Sequence, residues 1–287
     1  MNLSKQLLTG LKADGFRHPL DLEATNALKQ IPGFDLLIRN AIGSIGEQFF
    51  YLNNIASSIL VGQNQLPEIH DLLLEACKVL DLEPPQLYVQ QNPTPNAYTF
   101  AMRGEKPFIM LHTSLIEMLT PEEIQAVIAH ELGHLKCEHG VYLTMANVMV
   151  LATNLLPGWG TMIAQSLQER ILQWVRCAEF SCDRAALLAT QNPRTIMSVL
   201  MKLAGGSPTL APQLNLDAFI DQAKAYDQAS DRGLGETLRT LQTAQLSHPV
   251  PVIRAREIER WASSAQYQNL LQQHNDDVKD AGKWRNW

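Results

Sequence analysis

Between positions 120 and 139 the apolar residues Ile124, Val127, Ile128 and Leu135 recur at helical intervals, which predicts a helix with one buried face. Thr120 is a good N-cap, Pro121 suits the first helical position, and Glu123 can reach back to complete a capping box. Ile171, Val175, Ala178, Cys182 and Ala185 form a similar stripe along one long helix over 161–190. A third amphipathic helix is predicted over 66–82, with Leu72, Leu73, Ala76, Val79 and Leu80 on its apolar side and Pro84-Pro85 behind it. Short runs at 87–91, 97–102 and 107–112 read as strands, with Pro93, Pro95 and Gly104 supplying the breaks. Upstream, helices are predicted over 3–13, 22–31 and 34–42, and 57–61 has the composition of a strand. Downstream, the pattern is helical over 194–204, 216–229, 234–245 and 250–263.

Three short strands followed by the helix at 120–139 predict a small three-stranded sheet laid against that helix. The expected fold class is α+β, predominantly α, with additional N-terminal and C-terminal helices. Composition changes this picture little. Of 287 residues, 46% are hydrophobic and 18% charged, ordinary for a globular protein that can bury a sizeable core. The formal charge is −6 and no basic cluster stands out, so no nucleic-acid partner is expected.

Cys77, Cys137, Cys177 and Cys182 show no CxxC pairing and read as small buried hydrophobes in a reducing, cytoplasmic setting. The first residues, MNLSKQLLTGLKADG, carry no signal peptide pattern. From 140 to 168 the chain is nearly free of charge, yet no run of 20 apolar residues occurs. A half-buried helix is the plain reading of this stretch, and peripheral contact with a membrane or lipid particle through 141–168 is the alternative.

The chemistry sits on the predicted buried face. His130, Glu131 and His134 spell HExxH as HELGH. Residues four apart on a helix point into the same space, so the two imidazoles can share one Zn2+. Glu131 then stands beside them to take a proton from an activated water. A catalytic zinc wants a third protein ligand. Position 140 is Gly and His139 is one residue out of register for a third histidine, while Glu138 and His139 lie too close along the same helix and point elsewhere.

A carboxylate from a second helix remains. In RCAEFSCD, Glu179 fits best, because Asp183 lies one turn further on the same face. There it can accept a hydrogen bond from the outer nitrogen of a ligating histidine. Arg176 one turn earlier offers the bland alternative of a solvated ion pair, but Ala178, Cys182 and Ala185 argue that this helix is buried.

HELGH followed by an ExxxD helix resembles the gluzincin metallopeptidases. NAYTFAMRGEKPFIMLHTSLIEMLTPEEIQAVIAHELGH, RCAEFSCDRAA and SHPVPVIRARE are similar to the CAAX prenyl protease and HtpX group. NPTPNAYTF, LKCEHGVYLTMANV and LSHPVPVIRAREI are closest to its soluble cyanobacterial and plastid branch, which includes a plastoglobule-associated plant member. The resemblance implies a zincin-type catalytic domain holding one Zn2+ through His130, His134 and Glu179, with Asp183 partnering a ligating histidine, His130. It also implies that Asn96 and Ala97 lie on a sheet edge where an extended peptide adds as a strand. His248 and Arg254 match an HP-x4-R element that steadies the oxyanion. Here Ala255 replaces the usual Ile and Pro251 is inserted in the loop. The transmembrane helices of the HtpX group have no credible counterpart in this chain.

The domain expectation is an N-terminal helical cover segment over 1–64, a zinc metallopeptidase domain over 65–275, and a polar tail over 276–287. Two functions compete. The first is zinc-dependent endoproteolysis of a polypeptide with Glu131 as general base. The second is a zinc-stabilised peptide-binding, chaperone-like or latent module, against which the intact Glu131 argues, because a scaffold needs no base.

Overall fold

The structure, a computed structural model, describes residues 5–30, 52, 56–100, 107–140, 160–230 and 249–272. The predicted helices at 34–42 and 234–245, the stretch 141–159, His248 and the tail from 276 lie outside the described residues.

A four-stranded sheet of β1 (Ile59–Leu60), β2 (Gln86–Gln90), β3 (Ala97–Phe100) and β4 (Phe108–His112) has the order β1-β2-β4-β3. β1 falls within 57–61, the stretch with the composition of a strand, and joins the expected three strands by pairing antiparallel with β2 through Ile59–Val89 and Leu60–Tyr88. With only two residues in the strand, its composition and not a period-two pattern marks it in the sequence. β2 and β4 run parallel, with α2 (Pro67–Leu80) on the chain before them, and β3 pairs antiparallel with β4 at the sheet edge. All five residues of β4 are buried, as expected for a strand covered on both faces. It leads directly into the short helix α3 (Thr113–Met118), which is not predicted from sequence.

Helix α4 (Pro121–Lys136) starts as its sequence dictates. Thr120 Oγ1 accepts from the Glu123 N–H, and Glu123 accepts from the Thr120 N–H at 2.8 Å. Glu123 does more than cap. Ser198 Oγ and Lys202 Nζ, both from α6 (Pro193–Gly205), donate to it at 2.6 Å each. Ile128, Ala129 and Leu132 are fully buried, each large apolar side chain stabilising the fold by about 1.5–3 kcal/mol.

Helix α5 (Gly160–Thr190) crosses α4 where Gly133 lies. Helices α7 (Leu216–Ser230) and α8 (Pro251–Ala262) complete the downstream layer, with α8 packed on both α6 and α5. No helix among the described residues is long and apolar enough to cross a membrane. All four cysteines are buried and free, as expected.

The predicted helix over 3–13 is a correction. Residues 5–12 form no helix. The Leu8 N–H bonds Val79 O at 3.1 Å, and Gln6 exchanges two hydrogen bonds with the Gln191 side chain. Leu8 and Leu11 are buried with helical spacing, yet they anchor an arm tied along its backbone to other elements. Helix α1 (Pro19–Lys29) follows and packs against α5.

Candidate metal centre

α4 and α5 approach closely enough for side chains from each to meet. His130 Nε2 lies 3.3 Å from Glu179 Oε2, and His134 Nε2 lies 3.3 Å from Glu179 Oε1. The two imidazoles stand 5.2 Å apart between centroids at 73°. Glu179 is 2% exposed, so its charge has little water to stabilise it. On the far side of the first ring, His130 Nδ1 lies 3.1 Å from Asp183 Oδ1. Arg254, on α8, grips Asp183 in a bidentate pair, with Nε at 2.8 Å and Nη2 at 2.6 Å, and its Nη1 lies 3.4 Å from Glu179 Oε2.

These charges shift one another. Burial pulls the His130 imidazole down, but its hydrogen bonds to Asp183 and Glu179 outweigh this and raise it to about 10. Burial disfavours the Asp183 carboxylate, yet Arg254 and His130 hold it below its ordinary range. An ionised Asp183 can only accept, so His130 Nδ1 carries a proton toward it, and the raised value places a second proton on Nε2, facing Glu179, where a bound cation would take its place.

A lone pair facing a carboxylate oxygen is repulsive without a cation or proton between them. A tetrahedral ion with bonds of about 2.0–2.1 Å has ligand–ligand edges of about 3.3 Å, and each histidine nitrogen stands that far from one oxygen of Glu179, His130 from Oε2 and His134 from Oε1. Two imidazole nitrogens and a carboxylate oxygen suit a borderline divalent ion such as zinc.

Cys182 also lies close enough to His130 and His134 to complete a three-ligand group. The carboxylate is the better third donor. Burial pushes the Cys182 thiol well above its ordinary value, which disfavours the thiolate a metal would need, and its Sγ lies 3.6 Å from His139 Nδ1, whereas Glu179 stands 3.3 Å from both histidines.

The site opens into a cleft of about 370 Å³. His130, Glu131, Glu179, Asp183 and Arg254 line its polar side, and Ile196, Val199, Leu200 and Leu203 contribute an apolar wall. Asn96 and Ala97 line it as well, at the start of edge strand β3, where Asn96 O accepts from the His112 N–H at 3.0 Å. His134 is half-buried behind the cleft, and Glu131 is 7% exposed.

Sequence reasoning set His139 aside and gave the N-terminal segment only the role of a cover, with no part in the chemistry. In the structure His139 Nδ1 lies 3.1 Å from His134 Nδ1, and His139 Nε2 lies 3.0 Å from Asp21 Oδ2 on α1. Ser181 Oγ at 2.6 Å and Trp174 Nε1 at 3.0 Å also donate to Asp21. An acidic residue in a first helical turn reads as a dipole partner, so nothing local marked Asp21.

The family model described as Peptidase family M48 matches residues 63–262. The chain is 55% identical over 269 residues to "Plastoglobule-localized metallopeptidase 48, chloroplastic" of Arabidopsis thaliana, covering 94% of this chain and 78% of the relative. It is 28% identical over 204 residues to "Protease HtpX homolog 2" of Methanosarcina acetivorans, covering 61% of this chain and 68% of that protein. A "Protease HtpX homolog" of Moorella thermoacetica is 26% identical over 171 residues, covering 50% and 57%. No solved structure matches the chain.

Proposed function

The chain belongs to peptidase family M48, and from that premise we propose that it is a zinc-dependent endopeptidase with Glu131 as its general base. The observation carrying this reading is the convergence of His130 Nε2 and His134 Nε2 on the two oxygens of Glu179. His130, His134 and Glu179 would hold the ion. Bound zinc supplies Lewis acidity toward the scissile carbonyl and lowers the pKa of a water toward neutrality.

The chain's own residues do the rest. Glu131, in the cleft beside His130, accepts the water's proton and returns it to the leaving amine. An extended peptide adds along the β3 edge at Asn96 and Ala97, and its backbone hydrogen bonds hold the scissile bond beside Glu131. The apolar wall at Ile196, Val199, Leu200 and Leu203 takes a side chain of that peptide and excludes water. Arg254 holds Asp183 with Nε and Nη2 and faces Glu179 Oε2 with Nη1 at 3.4 Å, so Nη1 is the atom it would share with an oxyanion. His248 is the second oxyanion donor proposed.

The plastoglobule and chloroplast in the plant relative's name belong to that protein. For this chain we propose a polypeptide substrate and contact with a lipid particle or membrane surface through 141–168. The cytoplasmic expectation has no support from the relatives and is not carried forward.

Zinc content and cleavage of a peptide library, measured on wild type and Glu131→Gln together, test the reading. Glu131→Gln should keep its zinc and lose activity on the order of 10²-fold or more. Cleavage at the wild-type rate would remove Glu131 from its role. Zinc-loaded wild-type protein that binds peptides without cutting them would favour the scaffold reading.

A further inference from the structure

Glu179 and His134 are joined on one side by the ion site, while the other side of the His134 ring faces a buried histidine. Two imidazole Nδ1 atoms 3.1 Å apart must share one proton between them, because two lone pairs or two N–H groups at that distance repel. Asp21 decides which ring carries it.

Trp174 Nε1–H can only donate, and it bonds Asp21 Oδ1 at 3.0 Å. Ser181 Oγ already accepts from the His18 N–H at 2.9 Å and gives its own proton to Asp21 Oδ2 at 2.6 Å. Arg17 adds positive charge, with Nη1 3.9 Å from Oδ1. Asp21 is therefore an ionised acceptor. The His139 proton must sit on Nε2, pointing at Asp21 from 3.0 Å. His139 Nδ1 is left as a lone pair, so His134 Nδ1 must donate to it, and His134 Nε2 is left bare on the side of Glu179.

We propose that Asp21 and His139 are positioning residues that fix His134 in the Nδ1–H tautomer, with Nε2 free to bind the ion. The proposal rests on the metallopeptidase reading, in which His134 is a ligand. Asp183 performs the matching service for His130 in a single step, whereas His134 is served through a relay of two residues. The far end of that relay comes from α1, outside the stretch 63–262 matched by the family model. The N-terminal segment thereby contributes to the metal centre.

Asp21, Cys137 and His139 also lie close enough together to resemble a second ion site. Arg17 argues against it, since its guanidinium donates to Cys137 O and faces Asp21. Burial also pushes the Cys137 thiol up to about 12. A cation there would meet a buried positive charge and a protonated thiol.

The test measures zinc affinity by chelator competition on the full chain, with circular dichroism to establish folding. His139→Leu removes the acceptor and should weaken zinc binding by roughly 10- to 100-fold. His139→Asn places an amide oxygen near the Nδ1 position and should restore most of the affinity. Asp21→Asn can donate to His139 Nε2, which reverses the relay and puts a proton on His134 Nε2, so it should weaken zinc by at least about tenfold.

Histidine 15N NMR of the zinc-loaded wild type needs no variant. It should show a proton on His134 Nδ1 and a nitrogen–nitrogen coupling across the bond to His139. A proton on His139 Nδ1 instead, or folded His139→Leu with wild-type zinc affinity, would overturn the proposal. Wild-type protein that binds no zinc would instead sink the metallopeptidase reading on which the proposal stands.

Discussion

Gly133 meets Cys182 backbone to backbone: a Cβ built on Gly133 would come within 2.9 Å of Cys182 Cα and 2.9 Å of Ala185 Cβ. Backbone cannot yield as a flexible side chain can. The glycine inside HELGH therefore sets how near α4 comes to α5, and with it the spacing between the histidines and Glu179. Gly133→Ala should force the helices apart, destabilising the protein by about 1–3 kcal/mol despite the better helix propensity of alanine. Urea denaturation and zinc competition should both register the change. Unaltered stability and affinity would mean that the two helices can slide without consequence.

Arg254 clamps Asp183 through two hydrogen bonds and faces Glu179 through Nη1. Removing it leaves two buried carboxylates short of a counter-charge. Arg254→Ala should cost about 3–5 kcal/mol in the metal-free protein, and bound zinc should recover part of the loss by neutralising Glu179. Arg254→Lys should lie between the two, since an ammonium cannot span Asp183 in a bidentate pair. Denaturation curves with and without zinc check this.

Glu123 ties the start of α4 to α6. Burial disfavours its charge, but Lys202, Ser198 and the Thr120 N–H outweigh that and hold the carboxyl below its ordinary 4.5. Its folded value is depressed, so the stability it adds is present above the unfolded value and is lost as pH falls through the folded one. Glu123→Gln should therefore be about 1.5–3 kcal/mol less stable than wild type at pH 7. The gap should close below the carboxylate range. Denaturation of the metal-free proteins at the two pH values measures it, and a gap independent of pH would show that ionisation is not what matters.

Much of the centre could be read from the sequence because its parts are local. The capping box at Thr120 and Glu123, the two histidines one turn apart, and Glu179 with Asp183 all lie within single helices. Helical periodicity alone brings each set onto one face. Asp21 and His139 escaped because their relation crosses 118 positions and has no periodic trace. In the fold, the misread arm at 5–12 shows the converse. Leu8 and Leu11 keep a helical spacing while tertiary hydrogen bonds to Val79 and Gln191 hold the backbone elsewhere. β1 showed as a strand-like composition at 57–61, but a strand of two residues, Ile59 and Leu60, carries no pattern that would place it in the sheet.

X-ray absorption at the zinc edge of the loaded protein reads the central claim directly, through the identity of the atoms around the ion. Ligation by His130, His134 and Glu179 predicts only nitrogen and oxygen neighbours at about 2.0–2.2 Å. A sulfur neighbour at about 2.3 Å would put Cys182 in the place assigned to Glu179 and contradict the account.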